Sequence, residues 1–227
     1  MLKIDGIKKT YSNGKGLKSL SLKAKRGEIV CLIGPNGSGK STALRVIAGI
    51  IKCDNGTCRL NNTETFDREI KRDIGYLEES PFYYDNISVE NFLTFIWGVK
   101  YSNEPNDELQ RLLKKFDLSS IRNYKMKELS MGLKKRVGII SSIMNYPNLI
   151  ILDEPANGLD TKSIINLKDE IKRASERSII IISSHILEYL KSLGTRIVFL
   201  KEGLAIKELN IDYSVNLEAL YRSIYMT

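Results

Sequence analysis

"GPNGSGKST", residues 34–42, directly follows the apolar run "IVCLI" at residues 29–33 and fits the pattern G-x-x-x-x-G-K-[ST]. In this pattern a strand leads into a glycine-rich loop that opens a helix, and the backbone N–H groups of the loop curl around phosphate oxygens. Lys40 is expected to reach the β- and γ-phosphates, and the Ser41 hydroxyl is expected to ligate Mg²⁺. The sequence therefore predicts a site for a nucleoside triphosphate.

A second segment, "LIILDEP" at residues 149–155, predicts the acids that hydrolysis at a phosphate loop requires. It is a buried strand with two carboxylates at its carboxyl end, where open α/β sheets bind their ligands. Asp153 is placed to hold the metal, usually through water, and Glu154 to polarise the attacking water as general base. His185, the only histidine, ends the strand "SIIIISS" and is expected at the same sheet edge, where it can donate to the γ-phosphate.

Composition narrows the class of protein. The 227 residues suffice for one core with a subdomain, and 42% hydrophobic with 27% charged residues is typical of a globular domain. The apolar runs "LIIL" and "IIII" are far shorter than the roughly 18 to 20 residues of a membrane helix, so we expect no membrane span. Three cysteines without metal-ligand spacing predict free thiols in a reducing cytosol. The net charge is +8, but no basic run exceeds "KKR", so we do not expect nucleic-acid binding.

The hydrophobic pattern predicts an α/β fold with a mostly parallel sheet. Short alternating strands fill the first 34 residues, and a helix is expected over about 40–50. Buried strands alternate with helices from residue 149 onward, as in a parallel sheet covered on both faces. We expect a single domain with an N-terminal antiparallel β subdomain and an inserted helical subdomain. Its parts are a core (1–85 and 146–210), the helical subdomain (86–145) and a short C-terminal tail (211–227).

The motifs taken together resemble one protein family. In chain order they are "GPNGSGKST", "ELSMGLKKR" at 128–136, "LIILDEPANGLD" at 149–160 and "SSH" at 183–185. With them the chain resembles the ATP-binding cassette (ABC) family of transport ATPases over residues 2–210. The likeness points in particular to the ATP-binding subunits of two-component, ABC-2-like exporters. It implies a RecA-like phosphate-loop NTPase core that hydrolyses ATP with Mg²⁺.

The resemblance also assigns individual roles. Tyr11 matches an aromatic residue that stacks on adenine, Asp160 matches the key acid of a loop at the dimer interface, and His185 matches the switch histidine. The implied ATP contacts are Tyr11, Gly34, Pro35, Asn36, Gly37, Ser38, Gly39, Lys40, Ser41 and Thr42. The implied catalytic residues are Lys40, Glu154 and His185, and the implied metal ligands are Ser41 and Asp153, with Glu79 as a further candidate.

The segment "LSMGLKKRVGIISSI", residues 129–143, predicts a second anion site at a helix start. Ser130 is the expected N-cap, and the N–H groups from Gly132 onward can face an anion. The resemblance implies that two such domains close head to tail, so that Ser130 and Gly132 contact the ATP held by the opposite subunit. A Ser130 that only caps its own helix remains compatible with the sequence.

Two departures from the family pattern bear on function. Met131 and Leu133 replace a glycine and the glutamine of the common signature LSGGQ, whereas Ser130 and Gly132 are kept. Glu79, in "GYLEES" at 75–80, stands where the family usually has a glutamine. The same exchange is common in exporters whose membrane subunit is a separate chain, which favours export.

The leading hypothesis is an ATPase subunit that works at the cytoplasmic face of the membrane and powers a separately encoded permease. The expected partners are that permease, which residues 86–145 contact, and a second ATPase domain in a homodimer or heterodimer. The isolated chain is expected to be soluble. Peptide, drug or antibiotic, and lipid remain open as cargo. The alternatives are an importer subunit, a soluble cassette ATPase acting on nucleic acid or ribosomes, and a small-molecule kinase.

Overall fold

A computed structural model of the chain describes residues 1–81, 83–101, 105, 107–212 and 216–226. Within them ten strands form one sheet in the order β5-β4-β1-β2-β10-β9-β3-β8-β7-β6. The strands are β1 (Leu2–Thr10), β2 (Gly16–Ala24), β3 (Ile29–Ile33), β4 (Asn55–Leu60), β5 (Thr63–Glu64), β6 (Ile74–Leu77), β7 (Leu149–Asp153), β8 (Ile179–Ser183), β9 (Arg196–Lys201) and β10 (Leu204–Asn210). The α-helices are α1 (Lys40–Ile47), α2 (Val89–Lys100), α3 (Asp107–Lys115), α4 (Met131–Ile143), α5 (Thr161–Ser175), α6 (Leu187–Leu193) and α7 (Leu217–Tyr225).

Five parallel strands, β9, β3, β8, β7 and β6, form the half of the sheet that carries the predicted site. Every residue of β3, β7 and β8 is buried, which explains why their sequences are continuous apolar runs. The carboxyl ends of these strands share one sheet edge, where Asp153 pairs in register with Ser183. The edge therefore collects the phosphate loop, the two acids and the histidine segment.

The other half of the sheet is mostly antiparallel. Strand β1 pairs antiparallel with β2 and β4, and buried Leu2 and Ile4 alternate with exposed Lys3 and Asp5. Strand β10 pairs antiparallel with β9, and a parallel pair between Leu204 and Ser19 joins it to β2. The predicted α/β fold with antiparallel and parallel strands is confirmed.

Two apolar clusters cover the two faces of the parallel strands. One contains fully buried Trp97, Phe116 and Phe199, and it joins the helical segment to the sheet. The other contains Leu20 and Leu44, and it joins α1 to the sheet and to β1 and β2. Burial of both faces holds the loops at the sheet edge on a rigid base.

The predicted helical segment contains α2, α3 and α4. Leu109, Leu112, Leu113 and Phe116 of this segment are all buried in the first cluster. Residues 102–104 and 106 of this segment, and residue 82 of the predicted core, lie outside the described residues. In the described part of the chain, no helix combines the length and the apolar character needed to cross a bilayer.

The predicted C-terminal tail contains a helix, α7, that the sequence analysis did not anticipate. Asn216 caps it by accepting a hydrogen bond from the Ala219 N–H at 3.0 Å, and Leu217 is buried. The Tyr225 hydroxyl lies 2.9 Å from the Leu200 carbonyl oxygen and 3.2 Å from that of Ile33, so α7 packs beside the strand that enters the phosphate loop. Residues 213–215 and 227 of the predicted tail lie outside the described residues.

Candidate active site

The phosphate loop joins the end of β3 to the start of α1. Gly37 and Gly39 have φ values of 79° and 101°, which L side chains rarely adopt. A Cβ atom at Gly34 would overlap the Leu200 carbonyl oxygen, so only glycine fits there. The loop geometry thus depends on Gly34 and Gly39, which define the motif, and on Gly37 between them.

Lys40, the first residue of α1, lies across this loop. Its Nζ donates to the carbonyl oxygens of Gly34 at 2.7 Å and Pro35 at 3.2 Å, and the residue is 8% exposed. Burial lowers the pKa of Lys40, while the negative charges of Glu154, Asp153 and Glu79 oppose this shift. The ammonium group is therefore held in place to exchange carbonyl partners for phosphate oxygens.

Asp153 and Glu154 are held by Ser183 of the neighbouring strand. The Ser183 hydroxyl donates to Asp153 Oδ1 at 2.5 Å and accepts from the Glu154 N–H at 3.0 Å. Glu154 has a φ of 47°, an uncommon left-handed conformation for a side chain of this size. Such backbone strain clusters at functional sites, and here it turns the residue after β7 away from the strand direction.

The Glu154 carboxylate contacts His185. Glu154 Oε2 lies 2.9 Å from His185 Nδ1 and also accepts from the His185 N–H at 3.3 Å. Glu154 is 7% exposed, whereas the His185 side chain is 64% exposed. With Nδ1 donating to the carboxylate, Nε2 is a donor only in the protonated ring. The contact fixes the carboxylate orientation that a general base needs.

A cavity of about 770 Å³ connects these groups, within the usual size of ligand sites. Most predicted residues line it, namely Tyr11, Gly34, Pro35, Asn36, Gly37, Gly39, Lys40, Ser41, Thr42, Glu79, Asp153, Glu154 and His185. Ser38 is the exception among the predicted contacts, because it is 3% exposed and is not part of the lining. Its N–H donates to the Pro35 carbonyl oxygen, so it supports the loop from beneath.

Tyr11 lies at the cavity and is 37% exposed. Stacking of a base on an aromatic ring contributes about 1–3 kcal/mol, so Tyr11→Ala is expected to weaken ATP binding about fivefold or more. Tyr11→Phe keeps the ring and is expected to bind like the wild type. Titration with a fluorescent ATP analogue measures both variants, and Tyr124→Ala, at an exposed tyrosine outside the cavity lining, is the control. Equal loss of affinity in Tyr11→Phe and Tyr11→Ala would contradict a stacking role.

Ser130, Gly132 and Asp160 do not line this cavity. The Ser130 hydroxyl accepts from the Leu133 N–H at 3.3 Å as N-cap of α4, and Ser130 is exposed. Asp160 caps α5 by accepting from the Ser163 N–H at 2.8 Å and pairs with Arg136. The hydrogen bond from the Ser163 N–H is the main cause of the lowered pKa of Asp160. Ser130, which begins α4, is therefore exposed and does not face the phosphate loop of its own chain.

The structure adds site residues that the sequence analysis missed. Lys15, Gly16, Asn157 and Tyr221 also line the cavity. The amphipathic pattern of "LEALYRSIY" at 217–225 carries a helix signal, but nothing in it places Tyr221 beside the phosphate loop. Lys135 is 6% exposed although its run "KKR" reads as a solvated basic segment.

Comparisons with known proteins agree with this geometry. The sequence profile described as ABC transporter matches residues 17–157. The chain is 37% identical over 229 residues to the lantibiotic transport ATP-binding protein SrtF of Streptococcus pyogenes, which covers 98% of this chain and 96% of the relative. It is 33% identical over 220 residues to the bacitracin transport ATP-binding protein BcrA of Bacillus licheniformis, covering 94% of this chain and 71% of the relative.

Two solved structures show the same fold. The ATP-binding subunit of an ABC transporter superposes with a TM-score of 0.90 at 26% identity, covering 99% of both chains. A dimeric ATP-binding cassette in a post-hydrolysis state with ADP and Pi superposes with a TM-score of 0.84 at 28% identity, covering 93% of this chain and 99% of that one.

Fold and site together define a phosphate-loop ATPase. The family profile and the near full-length relatives show further that the chain belongs to the ABC transporter family, as an ATP-binding subunit. The predicted ATPase activity and membership of a transport system are thereby confirmed.

Proposed function

We propose that the chain hydrolyses Mg²⁺-ATP to power a separately encoded permease that exports peptide antibiotics, at the cytoplasmic face of the membrane. The observation that carries this proposal is the match to a lantibiotic transport ATP-binding protein over 98% of the chain. The relative named for bacitracin transport supports the same cargo class. Glu79 stands where the family usually has a glutamine. Because this exchange is common in exporters whose membrane subunit is a separate chain, the resemblance favours export.

The donor set of the site fits Mg²⁺. Ser41, Asp153 and Glu79 supply oxygen atoms, which Mg²⁺ prefers, and all three line the cavity. Among the described residues no group of three or more His, Cys, Asp or Glu side chains could hold a metal by themselves. This agrees with an ion bound mainly through phosphates and water. When bound, Mg²⁺ neutralises charge on the phosphates.

The protein groups then have separate roles. Lys40 and the loop N–H groups orient the triphosphate, and Glu154 takes the proton of the attacking water, with His185 holding its Oε2 in position. Ser130 and the N–H groups at the start of α4 contact the γ-phosphate of the ATP bound to a second ATPase domain. Ser130 is exposed and lies outside the ATP cavity of its own chain, and both observations support this arrangement.

The proposal is tested by isolating the tagged chain from native membranes and identifying the proteins that accompany it. We expect a polytopic membrane protein, and we expect the ATPase rate of the pair to rise when a lanthionine-containing peptide is added. Addition of an unmodified linear peptide of the same charge is the control. Co-purification with RNA, DNA or ribosomes, and with no membrane protein, would instead favour a soluble cassette ATPase. Stimulation that requires an external solute-binding protein would indicate import.

A further inference from the structure

Lys135 is a buried cation that the roles described above do not use. It belongs to α4, is 6% exposed, and its Nζ donates to the Glu79 carbonyl oxygen at 2.9 Å. An ammonium group leaves water at a high cost unless opposite charges and hydrogen bonds compensate. The compensating charges are the carboxylates of Asp153, Glu79 and Glu154. Lys135 thus extends from α4 toward the side of the ATP cavity that these three carboxylates line.

The segment after β6, described over residues 78–81 and 83–88, is packed tightly on α4. The Tyr83 hydroxyl donates to the Lys134 carbonyl oxygen at 2.8 Å. A Cβ atom at Gly138 would overlap this hydroxyl, so glycine permits the close approach of ring and helix. The Met126 N–H donates to the Ile87 carbonyl oxygen at 2.9 Å, just before α4 begins. The segment therefore has several contacts with α4 and with the residues just before it. Of these contacts, the one made by Lys135 is the one that also involves the charges of Asp153, Glu79 and Glu154.

Two neighbouring residues of this segment are held by opposite parts of the fold. Glu78 forms an ion pair with Arg45 of α1, next to the phosphate loop, whereas the Glu79 backbone is bonded to Lys135 of α4. A shift of α4 relative to α1 must therefore be absorbed at Glu78 and Glu79. The position of the Glu79 carboxylate in the cavity depends on this tether.

The charges at the cavity give Lys135 a second task. Asp153, Glu154 and Glu79 place three carboxylates in the cavity lining, where the proposed function puts a triphosphate that is itself strongly negative. Each carboxylate repels the phosphates unless a cation offsets it. Lys40 faces the loop, and Lys135 supplies a buried positive charge from the side of α4.

We propose that Lys135 is a positioning residue that ties the Glu79 segment to α4 and offsets the negative charge of Glu79 beside the triphosphate. The proposal rests on the proposed function, in which the start of α4 contacts the partner's ATP. Ser130 and Lys135 are less than two turns apart on α4. The helix that contacts the nucleotide of one site through Ser130 therefore sets the position of Glu79 in the other site.

Removal of the charges at positions 79 and 135, singly and together, tests the proposal. ATP hydrolysis by the full chain is measured for the wild type, Glu79→Gln, Lys135→Gln and the double variant. Lys135→Gln removes one of the positive charges that offset Glu79, together with the hydrogen bond to its carbonyl oxygen, and is expected to lower the rate about tenfold. The double variant removes both charges but also the Lys135 tether, so we expect only partial recovery, to a rate at least about threefold above that of Lys135→Gln. A double variant no faster than Lys135→Gln, with Glu79→Gln itself active, would overturn the proposal.

Controls separate this role from stability and from the proposed function. Lys127→Gln changes an exposed lysine near α4 and is expected to keep the wild-type rate. Lys135→Arg keeps the charge and the donor, so we expect at least about a third of the wild-type rate. If a thermal melt shows that Lys135→Gln does not fold, the rate of Lys135→Arg decides the question. A tenfold loss of ATP hydrolysis in Lys135→Arg would overturn the proposal. A wild-type chain without ATPase activity would contradict the proposed function and this proposal with it.

Discussion

Glu154→Gln is expected to lower the rate of ATP hydrolysis by about a hundredfold or more, because a general base contributes about 10²–10⁴-fold. Glutamine has nearly the same shape and can still accept the hydrogen bond from His185 Nδ1, so the site geometry is preserved. It cannot take a proton from water. ATP affinity is expected to stay equal or to rise, since one negative charge beside the triphosphate is removed. Phosphate release at saturating Mg²⁺-ATP measures the rate, and a fluorescent ATP analogue measures binding.

The chain offers a matched control for this substitution. Glu202 also has a left-handed backbone, with a φ of 51°, but it is exposed and does not line the cavity. Glu202→Gln therefore repeats the chemical change and the backbone setting outside the site, and wild-type hydrolysis is expected. A Glu154→Gln variant that hydrolyses ATP at the wild-type rate would remove Glu154 as the base.

Ser130→Ala is expected to reduce hydrolysis about a hundredfold, which is typical when one donor to a reacting anion is lost. ATP affinity of the isolated chain should not change, because Ser130 lies outside the cavity of its own chain. A phosphate-release assay measures the rate and an equilibrium binding titration measures the affinity, so the two effects are separated. Equal losses of rate and affinity would contradict a role in the opposite site.

Loss of a helix cap is the competing explanation for this variant, since an N-cap serine contributes about 1 kcal/mol to stability. Ser88 provides the control, because its hydroxyl caps α2 by accepting from the Asn91 N–H at 3.2 Å and it does not line the cavity. Ser88→Ala should show a similar loss of thermal stability with nearly normal hydrolysis. If the two variants lost hydrolysis equally, the effect of Ser130 would be structural.

Local motifs allowed much of the site to be predicted from the sequence. The phosphate loop, Asp153 and Glu154 are read directly because each lies at the end of a continuous apolar strand, and the structure brings them to one cavity. His185 was expected at the same edge for the same reason, since strand direction in a parallel sheet fixes where side chains emerge. Its contact with Glu154 Oε2 depends on side-chain geometry and was not predictable in detail.

The remaining features depend on contacts between distant parts of the chain. Lys135 reads as a solvated lysine, and only the packing of α4 against the segment after β6 buries it. Tyr221 enters the cavity lining because α7 packs near β3, about 190 positions earlier in the chain, through the contact of Tyr225 with Ile33. The left-handed backbone of Glu154 has no sequence signal at all. The fold class follows from periodicity, whereas these positions follow from tertiary packing.

In the proposed function, ATP is hydrolysed at a site shared by two chains. A mixture of Ser130→Ala with Glu154→Gln tests this sharing, because each mixed dimer has one site with an intact Glu154 from one chain and an intact Ser130 from the other. We expect each variant to be nearly inactive alone, and an equal mixture to recover about a quarter of the wild-type rate, since about half of the dimers are mixed and one of their two sites is intact. No recovery on mixing, with both variants folded and able to bind ATP, would contradict the shared site.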